Sequence, residues 1–312
     1  MYNTITKKIK HALRYCVHDR AQLMNSLLSN FFTWIPDKLY LQLMFRFSMG
    51  YWPDFKKPKT FNEKLNWLKL YNRKPEYTKM VDKLSAKNYV ANIIGPDYLI
   101  PTIDIWVRTE DINWESLPNK FVLKTTHGGG SNGVIICKDL DKFDKQQAIK
   151  KLNTSLRHDI YKKLKEWPYK DVAHRIIAEQ FLEDKDNEGD LHDYKFFCFN
   201  GKVKFFKIDF DRTTNHHANY YDLNGELQPF GEISCPPIPQ KHLNMPSQLV
   251  TMVELAEELS KGMPFLRVDF YEVNHNIYFG ELTFYPASGM GKWIDETWDL
   301  KFGSWLTLPE IV

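Results

Sequence analysis

Apolar residues recur at helical spacing through the first 95 positions of the chain, and then the rhythm changes. Phe61, Leu65 and Leu68 fall on one helical face. That face is opened by Thr60-Phe61-Asn62-Glu63, in which Thr60 can accept from a backbone N–H while Glu63 reaches back. A second helix is predicted through Met80, Val81, Leu84 and Val90, ending at Gly95-Pro96. From Pro101 onward the apolar runs are short. Residues 121–123 and 134–137 read as strands on either side of a glycine-rich stretch, 127–133. A polar helical stretch extends to about Lys165, and residues 176–182 read as a strand running into an acidic loop, 183–190. Asn200-Gly201 lies between strand-like runs at 194–199 and 202–209, and Asn224-Gly225 follows another at 218–223; this dipeptide is a strong hairpin signal. Residues 247–261 carry an amphipathic helical stripe, and two last strands, 265–273 and 277–284, are joined by Asn274-His275-Asn276. Antiparallel hairpins with segregated helices predict an α+β fold rather than a doubly wound sheet.

Composition narrows the function classes. The chain has 312 residues, 43% hydrophobic and 26% charged, which suits a globular protein with a large core and room for about two domains. A net charge of +3 gives no electrostatic footprint for nucleic acid. The four cysteines (Cys16, Cys137, Cys198 and Cys235) show no C-x-x-C spacing, so neither a zinc site nor a disulfide scaffold is expected. No apolar run is long enough to span a bilayer, and the basic N-terminus lacks the apolar segment of a signal peptide, so a cytoplasmic protein is expected. Residues 5–48 alternate basic and apolar positions at helical spacing. Such a segment either packs on its own domain, the commoner outcome, or lies on an anionic membrane at the inner face.

Four constellations could carry chemistry. Lys124 closes a strand just before the glycine-rich loop, where Gly128, Gly129, Gly130, Ser131 and Gly133 let backbone N–H groups approach an anion closely. Asp269 and Glu281 fall on adjoining strands, two carboxylates suited to Mg²⁺; Arg267 shares the Asp269 face and Thr283 the Glu281 face. Residues 177–183 form a strand end whose backbone edge and apolar side chains can hold an adenine ring. Lys195 sits in an otherwise aromatic strand, where a buried ammonium needs an anionic partner, a role open to a ligand.

The order of these pieces resembles the ATP-grasp superfamily. Phe61-Asn62-Glu63-Lys64-Leu65, Asp82-Lys83, Lys124-Thr125-Thr126-His127-Gly128-Gly129-Gly130, Arg267-Val268-Asp269-Phe270-Tyr271 and Gly280-Glu281-Leu282-Thr283-Phe284 with Pro286 and Ser288-Gly289 resemble its TupA-like branch, over roughly residues 58–310. The resemblance implies two α+β subdomains gripping ATP behind a helical N-terminal extension. The expected boundaries are 1–95 for the helical region, 96–185 for the small subdomain with the glycine loop and 186–312 for the large subdomain with the metal site. It implies ATP and Mg²⁺, two ions in all, as cofactors.

Residue by residue, Lys83 (with Lys87 a rival) and Lys124 would meet phosphates, Glu179 and Leu182 adenine, and Glu183 or a nearby acid the ribose. Lys195 would lie near the γ-phosphate, Asp269 and Glu281 would hold metal, and Arg267 would steady an oxyanion. Thr283 stands where many superfamily members carry Asn, which implies weaker direct ligation. The implied activity is an ATP-dependent carboxylate–amine ligase working through an acylphosphate. It would act in surface-polysaccharide biosynthesis, on a sugar such as a uronic acid and on an amino acid. A glycosyltransferase using Asp209-Phe210-Asp211, a sugar kinase and a non-catalytic binding member remain alternatives. His216 and His217 read as loop residues, and His127 as a loop residue or a substrate contact.

Overall fold

The computed structural model describes residues 21–129, 133–184, 191–212, 214–241 and 245–310. Its strands form two antiparallel sheets. β1 (Thr102–Trp106), β2 (Phe121–Thr125), β3 (Val134–Cys137) and β4 (Ile176–Gln180) make a four-stranded sheet in the order β1-β4-β2-β3. β5 (Asp193–Phe199), β6 (Lys202–Phe210), β7 (His217–Tyr221), β8 (Phe265–Val273) and β9 (Asn276–Thr283) make a five-stranded sheet in the order β7-β6-β5-β8-β9. The two predicted tight turns form as expected. Asn200 and Gly201 both take positive φ between β5 and β6, and Asn274 and His275 do so between β8 and β9, the backbone twist that a two-residue hairpin loop needs.

The helices are α1 (21–31), α2 (Asp37–Met49), α3 (Phe61–Tyr71), α4 (Glu76–Val81), α5 (Ser85–Ile94), α6 (Lys145–Leu156), α7 (Ile160–Leu164), α8 (Leu249–Ser260) and α9 (Thr297–Trp305). The capping box opening α3 is present in full: the Glu63 N–H donates to Thr60 Oγ1, and the Glu63 carboxylate accepts from the Thr60 N–H at 3.1 Å. Residues of α3, α4 and α5 share one large core with the five-stranded sheet, α8 and α9. Phe61 packs against the rings of Phe199, Phe265 and Phe302, so the helical region is built onto the larger sheet rather than standing apart from it. The smaller sheet has its own core of Trp106, Phe121, Leu123, Leu152, Ile176 and Ala178.

The chain departs from the predicted pattern at two points. The helix expected through residues 80–90 breaks at Asp82-Lys83-Leu84. Asp82 turns extended and pairs with Arg175 at 2.9 Å, while the Lys83 N–H donates to the Thr126 carbonyl at 2.9 Å. Tertiary contacts to the small sheet therefore override a continuous apolar stripe. The Asn224-Gly225 turn closes a single bridge, Tyr221 to Leu227, instead of a paired strand, because the Asp222 carboxylate takes the N–H groups of Asn224 and Glu226.

Candidate active site

One row of side chains crosses the whole five-stranded sheet. Tyr220 lies opposite Lys207, Lys207 opposite Lys195, Lys195 opposite Asp269, and Asp269 opposite Glu281. Strand alternation puts them on one face, and burial forces each charge to find a partner. Arg267, two residues before Asp269 on β8, grips it through two bonds of 2.7 and 2.6 Å and also reaches Glu281 at 2.8 Å. Thr283 donates to Glu281 at 3.3 Å. Burial pushes the Asp269 carboxyl up to about 7, against the pull of Arg267 and Lys195. For Glu281 burial also opposes ionisation, but Lys83, Arg267 and Lys195 outweigh it and hold the group down at about 2.

The second half of the site comes from the small sheet and the helices. Lys83 sits in the break between α4 and α5, with its ammonium 3.9 Å from Glu281 and bonded to the carbonyl of Gly128. Burial lowers the Lys83 pKa and Glu281 partly restores it. On β2, Lys124 pairs with Glu179 of β4 at 2.6 Å, and Lys87 of α5 meets the same carboxylate at 2.5 Å. Burial opposes charge on Glu179, yet its two lysines keep its pKa low. Lys124, Glu179 and Leu182 line a cleft of about 120 Å³ between the sheets. Val122, Val134, Ile136, Ile100 and Phe181 form its apolar wall, and Leu191 and Tyr271 close it from the side of the larger sheet. A flat heteroaromatic ring fits such a lining, with the lysines at its charged end.

The predicted residues therefore converge, with some changes of partner. Lys195 does not wait for a ligand: the carboxylates of Asp193, Asp209 (3.2 Å) and Asp269 (3.9 Å) already surround it. Glu179, expected against adenine, is occupied by two lysines. Lys87 adds bonds to the Ile100 carbonyl and the Thr102 hydroxyl, so it ties α5 to the small sheet. Glu183 is at the rim, paired with Lys120 at 2.8 Å. Gly128, Gly129 and Gly133 flank residues 130–132, and the Gly128 carbonyl accepts from the Lys83 ammonium; at Gly133 a Cβ would stand 2.3 Å from Thr125 Oγ1, so a side chain there would have to displace the Thr125 and Ser155 hydroxyls. Gly130 and Ser131 lie outside the described residues. Asp209 and Asp211 do not form a joint metal site. Asp209 is buried against Lys195 and Lys207, whereas Asp211, at positive φ past the end of β6, pairs with Lys241 at 3.0 Å.

Sequence reasoning missed the far end of the row. Lys207 lies 3.3 Å from both Asp209 and Glu232 and 3.4 Å from the Cys235 sulfur, and Tyr220 donates to Glu232. The signal was available at Lys207 and Asp209, charged residues alternating inside an aromatic strand as Lys195 does.

A family model described as TupA-like ATP-grasp matches residues 63–307, which takes in every element of this site. The chain belongs to the TupA-like ATP-grasp family. Its α+β architecture of two sheets around a cleft is the ATP-grasp fold. Among solved structures, the TupA-like chain is similar to the D-alanine–D-alanine ligase of Helicobacter pylori, at 14% identity over 80% of this chain and 70% of that one, with a TM-score of 0.41. It is also similar to the Bacillus anthracis D-alanine–D-alanine ligase complexed with ATP, at 15% identity over 65% and 53%, TM-score 0.37. A third is the ADP complex of Staphylococcus aureus N5-carboxyaminoimidazole synthetase, at 14% identity over 65% and 43%, TM-score 0.38. The chain spans about half the length of the Bacillus anthracis ligase and of the Staphylococcus aureus synthetase. Comparison with curated proteins finds no match.

Proposed function

We propose that this TupA-like protein is an ATP-dependent carboxylate–amine ligase acting on a precursor of a bacterial surface polysaccharide, joining a uronic acid carboxylate to an amino-acid amine. The observation that carries the reading is convergence. Lys124 lines the cleft, Lys83 in the helix break is close enough to Lys124 for the two charges to repel and lies 3.9 Å from Glu281, and Glu281 faces Asp269 across β8 and β9. Cations at one side and hard oxygen ligands at the other are what a magnesium triphosphate requires.

The donor set fits magnesium. Asp269 and Glu281 face each other across β8 and β9, and Thr283 adds a hydroxyl beside Glu281. Magnesium held there would neutralise the charge of the triphosphate during transfer. The protein's own residues do the rest. The apolar wall holds the base, and Lys124 and Lys83 draw the phosphates toward Glu281. Arg267, already aimed between the two carboxylates, is positioned to steady negative charge developing on the activated carbonyl. A glycine-rich segment at 128–133 would serve to keep water from the acylphosphate. Lys195 keeps Asp269 aligned and compensates the acidic cluster around it.

Incubating the protein with ATP, Mg²⁺, candidate uronic acids and amino acids should release ADP and free phosphate, with a product mass equal to the condensed pair. Phosphate retained on the product would make the protein a kinase. Turnover of a UDP-sugar without ATP would make it a glycosyltransferase. No phosphate release with any acceptor pair, in folded protein, would overturn the reading.

A further inference from the structure

We infer that the N-terminal helical hairpin is a docking surface for an anionic lipid bilayer. α1 packs on the body through Leu28, which joins Tyr40 and Met44 of α2 and Leu164 of α7. Its other side is exposed among the described residues. Leu23, Leu27 and Phe31, spaced four residues apart on one helical face, are 58%, 38% and 68% exposed. Trp34, in the turn between α1 and α2, is 76% exposed, and Trp52, just past α2, is 59% exposed. Asn25 donates to Ser48 at 2.8 Å, which fixes α1 beside the end of α2 from which Trp52 projects. The hairpin thus carries an aliphatic and aromatic stripe with an indole near each end, more contiguous apolar surface than a protein leaves in water without a use. Indole rings favour the boundary between hydrocarbon and headgroup.

The charges around the stripe choose the occupant. Residues 1–59 contain ten Lys and Arg against three Asp and Glu, whereas the rest of the chain has 32 against 36. Around the hairpin, Lys38, Lys56, Lys57 and Lys59 are exposed. Among the acids nearby, Asp37 turns inward to Arg73 and Lys165, Asp54 binds the N–H groups of Lys56 and Lys57, and Glu296 acts on Tyr51, so the lysines outnumber the outward acids. The face presented outward is therefore apolar and cationic. A second copy would bring like charge against like charge. An anionic bilayer satisfies both features at once, taking the apolar stripe into its acyl boundary and the lysines onto its headgroups. Among the described residues no helix is long and apolar enough to cross a membrane, so the contact is a peripheral one.

The test is flotation of the full chain with vesicles of phosphatidylcholine containing phosphatidylglycerol and with vesicles of phosphatidylcholine alone. The protein should float with the anionic vesicles only, and added salt should weaken binding. The pair Leu27→Glu and Phe31→Glu should reduce binding by about tenfold or more, as should Lys56→Glu with Lys57→Glu. Both pairs should keep the parent's melting temperature, since these side chains are exposed; should the first pair fail to fold, Trp34→Ser provides the same apolar test. No flotation overturns the proposal, as does flotation unaffected by these changes. A parent dimer that Leu27→Glu and Phe31→Glu convert to a monomer overturns it too, because the face would then be covered by a second copy.

Discussion

Taking the solution from about pH 7.5 to about pH 4 should withdraw stability through one side chain, His127. This residue lies immediately before the loop glycine whose carbonyl receives Lys83. It is 2% exposed, stacks on His174 with ring centroids 3.6 Å apart, and has its Nε2 at 3.1 Å from the Ser155 carbonyl. Burial first, and the second imidazole next, depress its pKa from 6.5 to about 4. The folded state therefore holds the neutral ring, and the unfolded chain takes up the proton first as pH falls. The contribution is complete above about pH 6.5 and declines until about pH 4; a shift of roughly 2.5 units corresponds to about 3 kcal/mol. His127→Gln removes the titration while keeping an N–H for the Ser155 carbonyl. Urea unfolding of parent and variant at stepped pH isolates this term, since every other group titrates in both proteins. The stability gap should shift by about 3 kcal/mol in favour of the variant across that range. A gap independent of pH would refute a buried neutral histidine at the base of the loop.

Two further substitutions probe the frame of the site. Gly133→Ala places a methyl 2.3 Å from Thr125 Oγ1 and 2.5 Å from Ser155 Oγ, so it should cost about 1–3 kcal/mol in thermal unfolding and displace the loop; an unchanged melting temperature would contradict that close approach. Lys207→Met leaves Glu232 and Asp209 without their shared cation and should cost about 3–5 kcal/mol by denaturant titration. Adding Glu232→Gln should recover part of that loss, and strict additivity would show that the two groups do not interact.

Much of this molecule was legible along the chain because its signals are local. Asn200-Gly201 dictates a turn whatever surrounds it, and Thr60 with Glu63 dictates a helix start. Asp269 and Glu281 could be paired from a short connection and strand alternation, and the register places them directly opposite. What stayed hidden depends on distant segments. The break at Lys83 is made by Thr126 and Arg175, neither near it in sequence, so the apolar stripe through 80–90 reads as unbroken. The partners of Lys195 and Lys207 come from three strands and a loop, and alternation alone reveals that a buried lysine needs an anion without saying which. For the same reason the Lys87–Glu179–Lys124 grouping, drawn from a helix and two strands, had no sequence signature.

Calorimetric titration of MgATP into the parent, Lys124→Ala and Glu281→Gln tests the central claim most directly: that these cations and acids border a single triphosphate site. The parent should bind ATP. Lys124→Ala should lose at least about tenfold in affinity, equivalent to about 1.4 kcal/mol, with its fold intact, while Glu281→Gln should still bind nucleotide but lose magnesium-dependent turnover. Unchanged ATP affinity in Lys124→Ala, or full turnover in Glu281→Gln, would contradict the account.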